Sequence, residues 1–235
     1  YGFLTAVHEI GHALGLDHMG DYNGAGNFTP SSYQDTQVLS VMSYFGPRYA
    51  APQYSPEVML ADWTTRDGRT LSPQTPMVND VMAIQAMYGV STTTRGGDTV
   101  YGFNSNVGGA TAEIFDFTRN EHPILTIFDS GGFDTLDLSG WSSPSRISLL
   151  AGSYSSANDM TQNIAIAYSA VIENAVGGSG ADALVGNDAA NVLVGGDGDD
   201  DLVGGAGGDA LTGGRGNDRI DGGDGGDGND LAFFS

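Results

Sequence analysis

Gly177-Gly178-Ser179-Gly180-Ala181-Asp182-Ala183-Leu184-Val185 opens a nine-residue period, and matching units start at residues 186, 195, 204 and 213. The period slips by three residues near the end, where Gly225 opens a further unit. Each unit divides into a six-residue turn ending in Asp or Asn and a three-residue strand. The eighth position is apolar throughout: Leu184, Leu193, Leu202, Leu211, Ile220 and Ala232. If a unit is half a coil, turns 18 residues apart stack on one side and the eighth-position side chains fill a thin core. Glycines let each turn curl with its carbonyls inward, and the sixth-position carboxylate adds charge; hard oxygen ligands of this kind suit calcium. The ligand set expected from the turns is Gly177, Ser179, Asp182, Gly195, Asp197, Asp200, Gly204, Ala206, Asp209, Gly213, Arg215 and Asp218. Asp182, Asp200 and Asp218 flank shared ions on one side, and Asn191 and Asp209 lie on the other. A neutral Asn191 weakens the ion beside it. Without a cation the carboxylates repel and one apolar residue per nine cannot offset chain entropy, so metal binding becomes folding energy.

The rest of the 235-residue chain is different in kind. A formal charge of −21, from 29 acidic against 8 basic residues, excludes a nucleic-acid partner and favours cations. There is no cysteine, so any metal must sit on imidazole or oxygen. No apolar run approaches the length of a transmembrane segment and no charged-then-apolar leader opens the chain. Because the first residue is Tyr1 and a helical pattern is already running by Phe3, the sequence is expected to begin inside a larger protein. Phe3, Val7, Ile10 and Leu14 recur on one helical stripe with His8 and His12 on the opposite face, and Gly15 stops the helix. Residues 17–76 read as long loops, and a second helix is predicted over Asn79–Tyr88, capped by Asn79 or Asp80. Strands are predicted at 99–103, 113–117, 124–128, 135–138, 146–150 and 163–168.

His8-Glu9-Ile10-Gly11-His12-Ala13-Leu14-Gly15-Leu16-Asp17-His18 matches the elongated zinc motif of the metzincin proteases. His8 and His12, one helical turn apart, can present two nitrogens to one zinc ion, and a sharp turn at Gly15 returns His18 as the third ligand. Glu9 beside the first ligand can take the proton of a hydrolytic water. Ser40-Val41-Met42-Ser43-Tyr44 resembles the Met-turn of the same clan, with Met42 as an apolar floor beneath the histidines.

Together these residues resemble the serralysin family of secreted bacterial metalloproteases along essentially the whole chain. The likeness extends to Gly20-Asp21-Tyr22-Asn23, Ala83-Ile84-Gln85, Asp98 to Asn106, Asp129 to Asp137 and Ile172-Glu173-Asn174. It implies that Tyr44 binds the zinc and swings to the developing oxyanion. It also implies further calcium sites in which Arg95, Gly97 and Thr99 offer carbonyls and Asp129, Gly131, Asp134 and Glu173 complete the shell. The stretch from Pro52 to Pro76 looks longer than the corresponding family loop, and the family's strands before the zinc helix and the end of its repeat domain are missing.

The expected fold class is α+β: a metzincin catalytic part over residues 1–92, incomplete at its N-terminus, followed over 93–235 by an all-β domain with a parallel β-roll, incomplete at its C-terminus. The expected function is a zinc endopeptidase with one catalytic Zn2+ and several structural Ca2+, acting on protein or peptide substrates. It is expected to be monomeric, extracellular and exported without a signal peptide. The alternative is a calcium-dependent binding or secretion module whose protease half is inactive. A third reading, a lectin-like calcium β protein, requires the zinc motif to be accidental.

Overall fold

A computed structural model describes residues 2–20, 22, 29–49, 53–54, 57–223 and 230–233. The regular elements are mostly strands, with few helices. Helix α1 spans Gly2–Ala13 and α2 spans Val78–Tyr88; between them the described residues form loops, braced by a Thr64–Thr70 bridge. Gly15 adopts φ +93°, and the Leu16 N–H reaches back to the Gly11 carbonyl at 3.0 Å, which ends α1 and folds the following chain under it. Helix α2 begins earlier than expected. Its cap is Met77 and not Asn79 or Asp80; Asp80 instead occupies the third helical position and accepts the Met77 N–H at 2.8 Å.

The expected stripe on α1 divides. Phe3, Ile10 and Leu14 are exposed, but Val7 turns inward with Leu4 against a small core of Leu16, Val38, Val41, Met42, Ala61, Trp63, Met77 and Ile124. Val7 packs inward because it lies one turn from Gly11, where the helix touches Met42.

The strands are β1 Val100–Gly102, β2 Leu125–Ile127, β3 Thr135–Asp137, β4 Arg146–Ser148, β5 Tyr154–Ser155, β6 Ile164–Ile166, β7 Asn174–Val176, β8 Ala183–Val185, β9 Val192–Asp197, β10 Asp201–Gly205, β11 Ala210–Arg215, β12 Arg219–Gly223 and β13 Leu231–Phe233. One sheet runs β1-β3-β7-β9-β11-β13 and a second β12-β10-β8-β4, all parallel. The third sheet, β2-β6-β5, is mixed. The strand expected over 113–117 is instead a 3-10 turn at Gly109–Thr111 running into helix α3, Ala112–Phe115. One helical turn buries Phe115 as well as a strand would, and only Asp116 keeps a bridge, to Gly102. Strand β5 escaped sequence reading because two residues carry no period.

Leu193 pairs with Leu211, Leu184 with Leu202 and Leu202 with Ile220, which is the 18-residue coil foreseen from the repeats. Leu211 then pairs with Ala232, 21 residues on, so the three-residue slip is accommodated without loss of register. The unit opened by Gly225 lies mainly outside the described residues. Leu184, Leu193, Leu202 and Leu211 are fully buried; Ile220 is half-buried and Ala232 exposed, so the core thins toward the last strands.

Candidate metal centres

Helix α1 and the loop that follows it bring three imidazoles together. His8 Nε2 lies 3.2 Å and His12 Nε2 3.1 Å from His18 Nε2. The other ring nitrogens are held by backbone carbonyls: His8 Nδ1 faces Val41 O and His12 Nδ1 faces Leu16 O, each at 2.8 Å. A carbonyl can only accept, so both rings carry their proton on Nδ1 and turn a lone pair on Nε2 toward the common point. Imidazole nitrogens around a tetrahedral zinc at about 2.0–2.1 Å stand about 3.3–3.4 Å apart. The two distances to His18 lie close to that spacing, and all three ligand nitrogens lie within 4.8 Å of one another, so the donor set fits zinc.

Met42 is buried below Gly11. Tyr44, about half exposed, sets its ring 4.7 Å from that of His18 and 5.9 Å from that of His8. Glu9, His8, Gln37, Ser43 and Tyr44 line one open cavity of about 250 Å³. The structure thus brings His8, His12, His18, Glu9 and Tyr44 to one place. Sequence reading missed the side chains that hold the loop beneath them. Asp35 accepts the hydroxyls of Tyr22 at 3.0 Å and Ser43 at 2.7 Å, and the buried Tyr22 ring packs 4.7 Å from Tyr44. Burial and the Asp35 carboxylate both push the Tyr22 phenol well above its ordinary pKa, so it stays a donor. Tyr22 belongs to a segment singled out in the sequence, but Asp21 and Asn23 lie outside the described residues.

Further along the chain, Asp134 accepts the Thr99 N–H on Oδ1 at 2.8 Å, while its Oδ2 is buried without a partner. Glu173 accepts the Asp134 N–H, and Asp129 accepts the Gly131 N–H and the Tyr101 hydroxyl. Arg95, in the left-handed region at φ +50°, and Gly97 belong to the adjoining turn, and the Gly97 carbonyl accepts the Thr99 hydroxyl at 2.8 Å. Burial and the neighbouring Asp129, Glu173 and Asp98 push the Asp134 carboxyl up to about 6. A buried, partnerless carboxylate oxygen among like charges is the chemistry of a hard-cation site.

The repeats hold a second such arrangement. A β-carbon at Gly195 would stand 2.2 Å from Asp200 Oδ2 and 2.6 Å from Gly213 O, so glycine alone lets these oxygens approach. Asp200 Oδ2 and Asp209 Oδ2 are both buried without partners, and burial with nearby Asp182, Asp218 and Asp199 pushes Asp200 up to about 6. Oδ1 of Asp200, Asp209 and Asp218 accepts the N–H of Asp182, Asn191 and Asp200 respectively, one coil earlier. Asp182 differs: its oxygens accept the N–H groups of Ser145 and Gly178, each at 2.6 Å. Asp197 and Arg215 are paired strand residues whose side chains lie 3.6 Å apart in the open; Gly177, Ser179 and Ala206 lie between strands, and Gly204, expected in a turn, lies inside β10.

Comparison with known proteins places the chain in a family. Residues 90–235 match the model described as Peptidase M10 serralysin C terminal. Serralysin A of Dickeya chrysanthemi is 43% identical over 186 residues, covering 79% of this chain and 36% of that protein. Serralysin of Photorhabdus laumondii is 43% identical over 193 residues and the metallopeptidase AprA of Pseudomonas marginalis 40% over 190, again across 79% of this chain. The chain thus spans about a third of the length of the curated relatives it matches. With more than half of its residues matched by the family model and relatives above 40% identity along most of its length, the chain belongs to the serralysin family of metalloproteases.

Proposed function

We propose that this chain carries the zinc centre and the calcium-dependent β-roll of an extracellular endopeptidase. Residues 1–92 form the catalytic part of a metzincin domain and 93–235 the calcium-binding domain. The observation that carries the reading is the convergence of three histidine Nε2 atoms, two with their Nδ1 protons committed to carbonyls.

His8, His12 and His18 would hold one zinc ion. When bound, zinc supplies Lewis acidity, polarising a peptide carbonyl and making a water acidic enough to attack at neutral pH. Glu9, on the same cavity wall as His8, takes the proton of that water and passes it to the departing amine. Tyr44 donates a hydrogen bond to the oxyanion as the carbonyl carbon becomes tetrahedral. A protein or peptide substrate leaves as two shorter peptides.

Calcium would be held by two groups of oxygens. One comprises Asp129, Asp134, Glu173, Gly131 and the carbonyls of Arg95, Gly97 and Thr99. The other comprises the turns around Gly177, Ser179, Asp182, Gly195, Asp197, Asp200, Gly204, Ala206, Asp209, Gly213, Arg215 and Asp218. The partnerless oxygens of Asp134, Asp200 and Asp209 support this reading, because burial of such groups is costly without a cation. A monomer that folds in calcium-rich medium after signal-peptide-independent export is consistent with a chain that has no cysteine. Among the described residues, no helix is long and apolar enough to cross a membrane.

The test is zinc stoichiometry by elemental analysis together with cleavage of an unstructured protein substrate in zinc and calcium. Glu9→Ala should retain zinc and lose cleavage, and a chelator should remove both. Stoichiometric zinc without cleavage would favour a calcium-dependent binding module.

A further inference from the structure

The loop beneath the histidines is anchored by a carboxylate from a distant helix. Asp80, on the first turn of α2, is almost completely buried. Its Oδ1 accepts the Ser40 hydroxyl at 2.6 Å, and its Oδ2 accepts the Val41 N–H and the Met77 N–H, each at 2.8 Å. Ser40 Oγ in turn accepts the Met42 N–H at 3.0 Å. The next link is the Val41 carbonyl, which receives the Nδ1 proton of His8. A continuous chain of polar contacts therefore runs from Asp80 through Val41 to His8.

His12 provides an internal comparison. Its Nδ1 partner, the Leu16 carbonyl, lies in the same short segment, four residues away, and does not pass through α2. The Val41 carbonyl lies 33 residues from His8 in sequence, on a loop without regular secondary structure. Only tertiary contacts can keep it in place. Asp80 is itself positioned by its neighbours: Met77 and Val78 are fully buried, and the Thr75 hydroxyl just before them accepts the Thr126 N–H from β2 at 2.7 Å.

From this geometry we propose that Asp80 is a positioning residue for the metal centre: by gripping Ser40 and Val41 it sets the carbonyl that fixes the tautomer and orientation of His8. Burial raises the carboxyl's pKa, while the contacts with Ser40, Val41 and Met77 oppose that rise. Its three donors form an anchor on which the loop closes. Ligand-orienting partners one shell out from a metal commonly change affinity about 10- to 100-fold when removed. The inference rests on the zinc reading above, but its first consequence, the tautomer of His8, is measurable without metal.

The experiment uses the full chain with 15N-labelled histidine, in calcium, with and without zinc. In the unsubstituted protein, imidazole correlations should show His8 and His12 both as the Nδ1–H tautomer. In Asp80→Ala, His8 should become a mixture of tautomers while His12 is unchanged, and zinc affinity against a chromophoric chelator should fall about 10- to 100-fold. Asp80→Asn should restore the His8 tautomer and most of the affinity, because its amide oxygen can accept both N–H groups and its NH2 can donate to Ser40. If Asp80→Ala does not fold, Ser40→Ala is read in the same way, with His8 disturbed and His12 not.

An unchanged His8 tautomer and zinc affinity in folded Asp80→Ala would overturn the proposal. So would a parallel loss at His8 and His12, which marks a general structural effect. Failure of the unsubstituted chain to bind zinc would sink the zinc reading instead, and leave the metal-free tautomer comparison to judge Asp80.

Discussion

Gly11 lies directly over Met42: a β-carbon on Gly11 would stand 2.6 Å from the Met42 sulfur. The helix carrying two of the three histidines therefore rests on the methionine with no space between them. Gly11→Ala should push α1 away from the loop and cost about 1–3 kcal/mol, as overpacking of buried sites does. Chemical denaturation in calcium, compared with Gly2→Ala on the open side of the same helix, checks this; equal effects would refute it.

Tyr22→Phe removes a hydroxyl from Asp35 but keeps the ring against Tyr44. Asp35 retains Ser43 and the Ser31 N–H, so the loss should be that of one buried bond to a carboxylate, about 1.5–3 kcal/mol. Urea unfolding should show it as a shift in midpoint at constant slope.

Asp134 and Asp200 each have a folded-state pKa raised to about 6. Between the ordinary aspartate value, about 3.9, and 6 the folded chain binds more protons than the unfolded one. Stability without metal should therefore be greatest at the acid end of this window and fall as pH rises through it. Calcium must displace those protons, so its affinity should fall as pH drops below 6 and its binding should release protons there. Melting temperatures at pH 5 and 7, with calcium and with a chelator, check both signs. A metal-free chain that is more stable at pH 7 contradicts the assignment.

The thinning of the core predicts graded effects along the roll. Leu193→Ala removes a fully buried side chain lying between strands on both sides and should cost about 2–5 kcal/mol in calcium-loaded protein. Ile220→Ala, in a half-buried position on β12, should cost clearly less. Equal losses, measured by thermal denaturation, would mean that the last strands are packed more tightly than their burial indicates.

Much of this was legible before any coordinates, because it depends on short spacings. The four-residue interval from His8 to His12 and the glycine at 15 are enough to gather three imidazoles, and the nine-residue period places Leu184 over Leu202 and Leu193 over Leu211. The misreadings had equally local causes. Glu113 to Phe117 reads as a short apolar run between turn signals, yet its apolar residues fit a helical turn just as well, and the contacts around Phe115 decided between them. Asp80 was visible as a helix-start residue, but nothing near it in sequence indicates that its other donors come from Ser40 and Val41.

The sequence by itself determined which side chains can form a metal centre and where the coils repeat, because both follow from intervals of a few residues along a regular helix or turn. Only the tertiary structure decided which polar groups support that centre. Asp80 meets Ser40 across 40 residues, Tyr154 reaches the Val38 carbonyl across 116, and Asp182 finds a donor in Ser145 across 37 while Asp200 and Asp209 keep an oxygen without a partner. Such pairings follow from how the packed elements bring distant donors and acceptors together, and no local spacing encodes that.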